Sequence, residues 1–176
     1  MSRIEEVKQN LSEKFPVGDF KFYYENGNDV VVVPKANILE VLKYYRENSF
    51  YDFLMDLTAV DYSKYPETQE GRYAVVYHLF SSKTLNRLRL KVFVQEEDAK
   101  LASATSVWRS ANWFEREAYD MYGIVFEGHP NLTKILTHHH FKGHPLRKDY
   151  DANNQQHCSD VCLLYTSDAA DDWFCV

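Results

Sequence analysis

Apolar residues recur at helical spacing at the start of the chain, at Ile4, Val7, Leu11 and Phe15. That pattern predicts a short amphipathic helix, ended by Pro16 and Gly18. Two β-prone runs, 19–25 and 30–33, flank Asn26-Gly27, the dipeptide that most strongly marks a tight hairpin. Pro34 closes the second run because it has no N–H to give to a ladder. Ile38, Leu39, Val41, Leu42 and Tyr45 return to helical spacing. Residues 51–60 alternate, with Phe53, Met55, Leu57 and Ala59 expected on one face of a strand. Runs 72–80 and 86–94 are the clearest β pair. In the latter Arg87, Arg89 and Lys91 face one way, and Leu88, Leu90, Val92 and Val94 the other, as in a half-buried antiparallel strand. A third helix is expected to start near Ser103 or Asn112 and run to Tyr122, with Gly123 at the position of a C-cap glycine. The order α-β-β-α-β-β-β-α predicts an α+β fold: a two-layer domain with a mostly antiparallel sheet and helices on one side.

After Gly123 the period is lost. Half of the six glycines and five of the seven histidines fall between Gly123 and His144, so backbone shape outweighs burial of a stripe there. Phe126-Glu-Gly-His-Pro and Phe141-Lys-Gly-His-Pro form a small repeat, 15 residues apart. Glycine before His-Pro permits unusual backbone angles, and proline holds the preceding histidine extended. The chain therefore divides into an α+β domain, 1–123, an extended non-helical arm, 124–157, and a tail, 158–176. The tail has no period and resembles a translated sequencing adapter, so the native chain is expected to differ after about residue 157.

The apolar fraction of 45% suits one globular domain. A net charge of −6 argues against general nucleic-acid binding. No apolar run exceeds five residues, short of the ~18–20 that a membrane span needs. The N-terminus carries no apolar segment of the kind a secretory signal has. Cys158, Cys162 and Cys175 all lie in the tail, which leaves the domain without a disulfide framework or a cysteine-ligated cluster.

Candidate chemistry is sparse. Arg116 and Asp120 are spaced to pair on one helix face. Glu117 and Asp120 could share a face as an acid–base pair or as metal ligands, but no histidine or nucleophile accompanies them at helical spacing. His138–His140 with His144 suggest a metal, yet adjacent side chains alternate in extended chain and lack a rigid ligand frame. A polar turn is the plainer reading. His157, Cys158 and Cys162 have metal-like spacing but lie beside or within the tail. Neither a phosphate-binding glycine loop nor a nucleophile motif is present. Trp108, Trp113, Phe114, Tyr119, Met121 and Tyr122 surround much of the third helix, as if it lay between two surfaces, one of them the sheet and the other a partner. The residues alone point to a binding subunit ahead of an enzyme.

The segment from Trp113 to Tyr150 resembles the signature of the C subunit of respiratory complex I, the proton-pumping NADH:quinone oxidoreductase. The matching residues are Glu115-Arg116-Glu117, Tyr119-Asp120, Gly123-Ile124, Phe126, Gly128-His129-Pro130, Leu132, Ile135-Leu136, Gly143 and Pro145-Leu146-Arg147-Lys148-Asp149-Tyr150. The resemblance implies a non-catalytic subunit of the peripheral arm, holding the quinone-reducing module together. It implies no cofactor on this chain, with NADH, FMN, iron–sulfur clusters and quinone handled by other subunits. It implies contact with the quinone-site subunit and the small iron–sulfur subunit, in a hetero-oligomer on the cytoplasmic side of a bacterial inner membrane. Glu115, Arg116, Glu117, Asp120, Gly128, His129, Pro130, Leu132, Ile135, Leu136, Gly143, Pro145, Leu146, Arg147, Lys148, Asp149 and Tyr150 would then form the partner interface. Where the family usually has two arginines, this chain has Thr133-Lys134, and lysine cannot make arginine's bidentate contacts. Similar subunits occur in membrane-bound hydrogenases and ferredoxin-linked complexes. A free-standing metal protein using His138–His140 is the remaining alternative.

Overall fold

The computed structural model describes residues 3–16, 18–48, 51–153 and 156. The side chain of Ile4, His157 and the tail with its three cysteines lie outside the described residues. The elements are α1 (Arg3–Lys14), β1 (Lys21–Glu25), β2 (Asn28–Val32), α2 (Ile38–Asn48), β3 (Phe53–Asp61), β4 (Tyr73–Phe80), β5 (Arg87–Val94), β6 (Lys100–Ala102), α3 (Ala111–Tyr122) and β7 (Val125–Glu127). A short 3₁₀ turn, Lys35–Asn37, leads into α2. Five strands form one sheet in the order β1-β2-β5-β4-β3. All neighbours are antiparallel except β2 and β5, which run parallel.

The β1–β2 hairpin turns on Asn26 and Gly27, both at positive φ (49° and 77°), as a two-residue turn matched to strand twist requires. One sheet face supplies Val31, Val33, Leu54, Leu57, Tyr77, Leu79, Leu88 and Leu90 to the core, against Val7 and Leu11 of α1 and Ile38, Val41, Leu42 and Tyr45 of α2. Ala111 and Ala118 of α3 join the same cluster. All three helices therefore cover one face, and Arg89, Lys91 and His78 lie on the other.

Strand β3 departs from simple alternation. Its register with β4 shifts between Leu54 and Asp56, a bulge that inserts one residue and inverts the facing beyond it. Leu54 is buried, whereas Phe53 and Met55 are 57% and 40% exposed. Leu57 and Ala59 do face the core, but Phe53 and Met55 do not share their side as alternation predicts. The second surprise is a two-stranded parallel sheet, β6 with β7. It stitches the first residues of the arm to the segment before α3, which carried no strand signal.

Candidate functional site

Helix α3 holds the signature, and its two sides meet different neighbours. Ala111, Glu115 and Ala118 recur at three- and four-residue spacing and are buried toward the sheet. Asp120 lies about half a turn round the helix from Ala111, yet it too is fully buried. What covers it is the chain's own arm. The expected second surface is thus intramolecular at this point, while Trp113 stays 63% exposed.

Asp120 is the centre of the clasp. Its Oδ2 accepts the backbone N–H groups of Ile135 (3.1 Å), Leu136 (2.8 Å) and Thr137 (2.8 Å). Its Oδ1 accepts the Thr137 hydroxyl at 2.5 Å. Three successive amides around one carboxylate make a small anion nest. Burial by itself would raise the Asp120 pKa, but these donors more than offset it and hold the carboxyl below its usual range. Arg116 does not pair with Asp120. Its guanidinium donates to the carbonyls of Thr133 (3.0 Å) and Lys134 (3.1 Å), and its charge lies 5.4 Å from the Trp113 ring centre. Lys134 donates to the Phe141 carbonyl.

The arm also finishes the helix. The last four carbonyls of an α-helix have no partner within it. Here Gly123 N–H serves Tyr119 (2.8 Å), His144 Nδ1 serves Asp120 (2.9 Å), Leu146 N–H serves Met121 (3.2 Å) and Arg147 Nε serves Tyr122 (2.6 Å). Gly123 has φ 77°, and a Cβ there would lie 2.5 Å from the side chains of His144 and Arg147. The repeat acts at both ends of the helix. Gly128 and Gly143, at φ 83° and 92°, turn the chain so that His129 Nε2 meets the Asn112 carbonyl (3.1 Å) and His144 meets that of Asp120. His129 Nδ1 accepts the Asn131 N–H at 3.0 Å, which assigns the ring proton to Nε2. Burial, then Arg147 and Lys134, lower the His144 pKa, with the Asp120 carbonyl opposing.

A latch on the sheet holds the arm's end. Asp61 of β3 accepts the Lys148 N–H at 2.9 Å and the Ser63 N–H at 2.9 Å. Arg72 bridges Asp61 (3.4 Å), Asp149 (2.8 Å) and Glu96. Burial of Asp61 is outweighed by the donated bonds from Lys148, Ser63 and Arg72, which hold its pKa at about 2. The Arg147 guanidinium sits 5.3 Å from the Tyr73 ring centre. Tyr150 stacks on Phe141 at 6.0 Å.

The matched residues thus divide. Glu115 and Asp120, expected as interface charges, are each 0% exposed and engaged inside the chain. Glu115 accepts the Ala104 N–H (2.6 Å) and the Ser103 hydroxyl (2.7 Å), and burial pushes its pKa up to about 7 against those bonds. Glu117 and Asp120 do not share a surface, since Glu117 is exposed. Arg116, His129, Leu132, Ile135, Pro145 and Arg147 are half-buried. Glu117, Gly128, Pro130, Gly143, Lys148 and Asp149 remain exposed, with Leu136 at 64% and Leu146 at 47%. Among the described residues, no group of three or more His, Cys, Asp or Glu is placed to hold a metal. His138 lies edge-on to Phe141, and the rings of His139 and His140 are 4.0 Å apart. Asp61 and Arg72 were not foreseen: Asp61 stands 87 residues from Lys148 in sequence, and no local pattern marks it.

These features define a class: an α+β domain whose last helix is capped and overlain by its own C-terminal arm. The chain belongs to the family described as respiratory-chain NADH dehydrogenase, 30 kDa subunit, which matches residues 31–156. It is 52% identical over 165 residues to the C/D subunit of the NADH-quinone oxidoreductase of Bdellovibrio bacteriovorus, covering 94% of this chain and 29% of that protein. It is also 52% identical over 140 residues to the C subunit of the NADH-quinone oxidoreductase of Citrifermentans bemidjiense, covering 80% of this chain and 84% of that one. Among solved structures, the trypsin-resistant fragment of Nqo5 superposes with a TM-score of 0.66 at 37% identity, over 74% of this chain and all of the fragment. The chain therefore spans most of one relative but under a third of the C/D protein.

Proposed function

We propose that this chain is a non-catalytic subunit of an NADH:quinone oxidoreductase, holding the quinone-reducing module of the peripheral arm together. The observation that carries the reading is the arm on α3. Glu115, Asp120, Arg116 and His144, the groups most suited to chemistry, are spent on internal hydrogen bonds. What remains outward is an apolar and charged surface around Trp113, Leu136, Leu146 and Glu117, the composition of an interface core with its rim. The relatives are named as subunits of NADH-quinone oxidoreductase, which favours that complex over a hydrogenase or ferredoxin-linked one. In this reading the partners are the quinone-site subunit and the small iron–sulfur subunit. NADH, FMN, the clusters and quinone are bound elsewhere. The chain sits peripherally on the cytoplasmic side of the inner membrane. No helix among the described residues is long and apolar enough to cross a membrane.

The test is coexpression of this chain with those two subunits, followed by size-exclusion chromatography. Coelution is expected, weakened in Trp113→Ala/Leu136→Ala while the melting temperature of the isolated chain holds. Separate elution of the wild-type chain would overturn the reading.

A further inference from the structure

The sheet face opposite the helices carries a surface that the arm does not explain. Register places Val30, Arg89, His78 and Asp56 in one row across β2, β5, β4 and β3. The next row is Val32, Lys91, Val76 and Thr58. A hollow of about 310 Å³ opens on this face beside Asp56, His78, Arg87 and Arg89. A second, of about 380 Å³, adjoins it, walled by Phe53 and Phe80. Met55 and Arg87 line both.

Two observations make this more than bare sheet. First, the bulge in β3 turns Phe53 and Met55 out of the core and onto this face. Bulges on edge strands commonly re-aim side chains at functional surfaces. Second, the cations here are incompletely answered. Lys91 is occupied, its ammonium 5.1 Å and 5.4 Å from the rings of Tyr62 and Phe93 and 3.3 Å from the Tyr23 hydroxyl. Arg87 makes no ion pair among the described residues. Arg89 reaches Glu25 only at 3.7 Å, and its Nε is buried with no hydrogen-bond partner. Arg87 thus borders both hollows and Arg89 borders the first, on a chain whose net charge is −6.

We propose that this face docks a polypeptide segment of a neighbouring subunit that carries a carboxylate beside a bulky apolar side chain. The carboxylate takes the planar donor forks of Arg87 and Arg89, which match its two oxygens. The apolar side chain enters the hollow of Phe53, Met55 and Phe80, since aromatics, methionine and arginine are favoured at interface cores. Asp56 lines the first hollow and Asp52 the second, so the rim has room for a single carboxylate at the arginines but repels the repeated charges of a phosphate polymer or an anionic lipid surface. The inference rests on the reading of this chain as a subunit of a larger complex. It goes beyond that reading because the surface lies on the layer opposite α3 and its arm.

The test replaces Met55 with a benzophenone amino acid in the full chain, reassembles it with the other peripheral-arm subunits, and identifies the photo-cross-linked peptide by mass spectrometry. In parallel the association affinities of wild type, Arg87→Glu and Arg87→Met are measured. The expected cross-link is to another subunit, at a peptide with Asp or Glu next to a large apolar residue. Arg87→Glu is expected to weaken association by about tenfold or more, and Arg87→Met by less. A cross-link to residues 157–176 of the same chain, to a second copy, to lipid, or to a peptide without a carboxylate overturns the proposal. So does an unchanged affinity in Arg87→Glu when wild type assembles. Failure of wild type itself to assemble overturns the proposed function and this inference together.

Discussion

Replacing Glu115 with glutamine separates an interior carboxyl from an interface charge. The side chain is 0% exposed. Its oxygens meet the Ala104 N–H at 2.6 Å and the Ser103 hydroxyl at 2.7 Å, and no cation forms an ion pair with it among the described residues. The buried Tyr77 phenol also faces it, its own pKa raised by burial and then by the Glu115 charge. Burial lifts Glu115 from 4.5 to about 7. The folded value lies above the unfolded one, so between those two pH values the folded chain holds a proton that the unfolded chain has released. Stability therefore falls as pH rises through that window and is flat above it, a loss of about 3 kcal/mol in all. Glutamine keeps the shape: its oxygen accepts from Ala104 and its amide donates to Ser103. It cannot ionise. Urea unfolding followed by tryptophan fluorescence, from about pH 5 to about pH 8, should show near-equal stabilities at the acid end. At the alkaline end Glu115→Gln should be the more stable by up to roughly 3 kcal/mol. Taking the difference between the two proteins cancels the other titrations, including that of His144. A gap independent of pH, or a variant less stable at the alkaline end, would refute the argument and return Glu115 to the surface role suggested by its place in the signature.

Three more outcomes follow from the clasp and the latch. Asp120→Asn can keep its oxygen on the three amides and its NH₂ on Thr137, losing charge alone, so it should cost about 1 kcal/mol. Asp120→Ala strands those amides and should cost about 3 kcal/mol or more, with hydrogen exchange at Ile135, Leu136 and Thr137 rising in parallel. Asp61 has its pKa depressed from 3.8 to about 2, so its contribution is present above the unfolded value and lost as pH falls toward the folded one. Asp61→Asn should cost roughly 1–2 kcal/mol at neutral pH and nothing in strong acid, as read by acid-dependent melting. Gly123→Ala must hold a left-handed residue and displace His144 or Arg147. It should lose about 1–2 kcal/mol from the backbone alone, and protease sensitivity of the arm is the readout. An unchanged melt would show that α3 does not end against the arm in this way.

Much of the fold was legible along the chain. The β1–β2 hairpin follows from Asn26-Gly27, the β4–β5 pair from the alternation of Leu88, Leu90, Val92 and Val94, and the end of α3 from Gly123. Each is a local signal, set by backbone angles or by a period shorter than the element itself. The bulge at Leu54–Asp56 was not legible, because one inserted residue costs the pattern only a single step while it inverts which side chains reach the core. Strands β6 and β7, three residues each, are too short to show a period and exist through their pairing.

The site divides in the same way. The run from Glu115 to Tyr150 could be recognised as a unit from its residues and spacing, which determined the family. Which of its charges face inward was decided only in three dimensions. Asp120 is buried on the side of α3 away from the sheet, where helical periodicity expects solvent or a partner, because the irregular arm folds back and aims three amides at it. Arg147 and Lys148 are held by Tyr122 and by Asp61, a strand residue far away in sequence. An irregular segment has no period to announce what it covers. Its hydrogen-bond donors find their acceptors only once the sheet and helix are assembled, and that closure turned half of the signature from surface into structure.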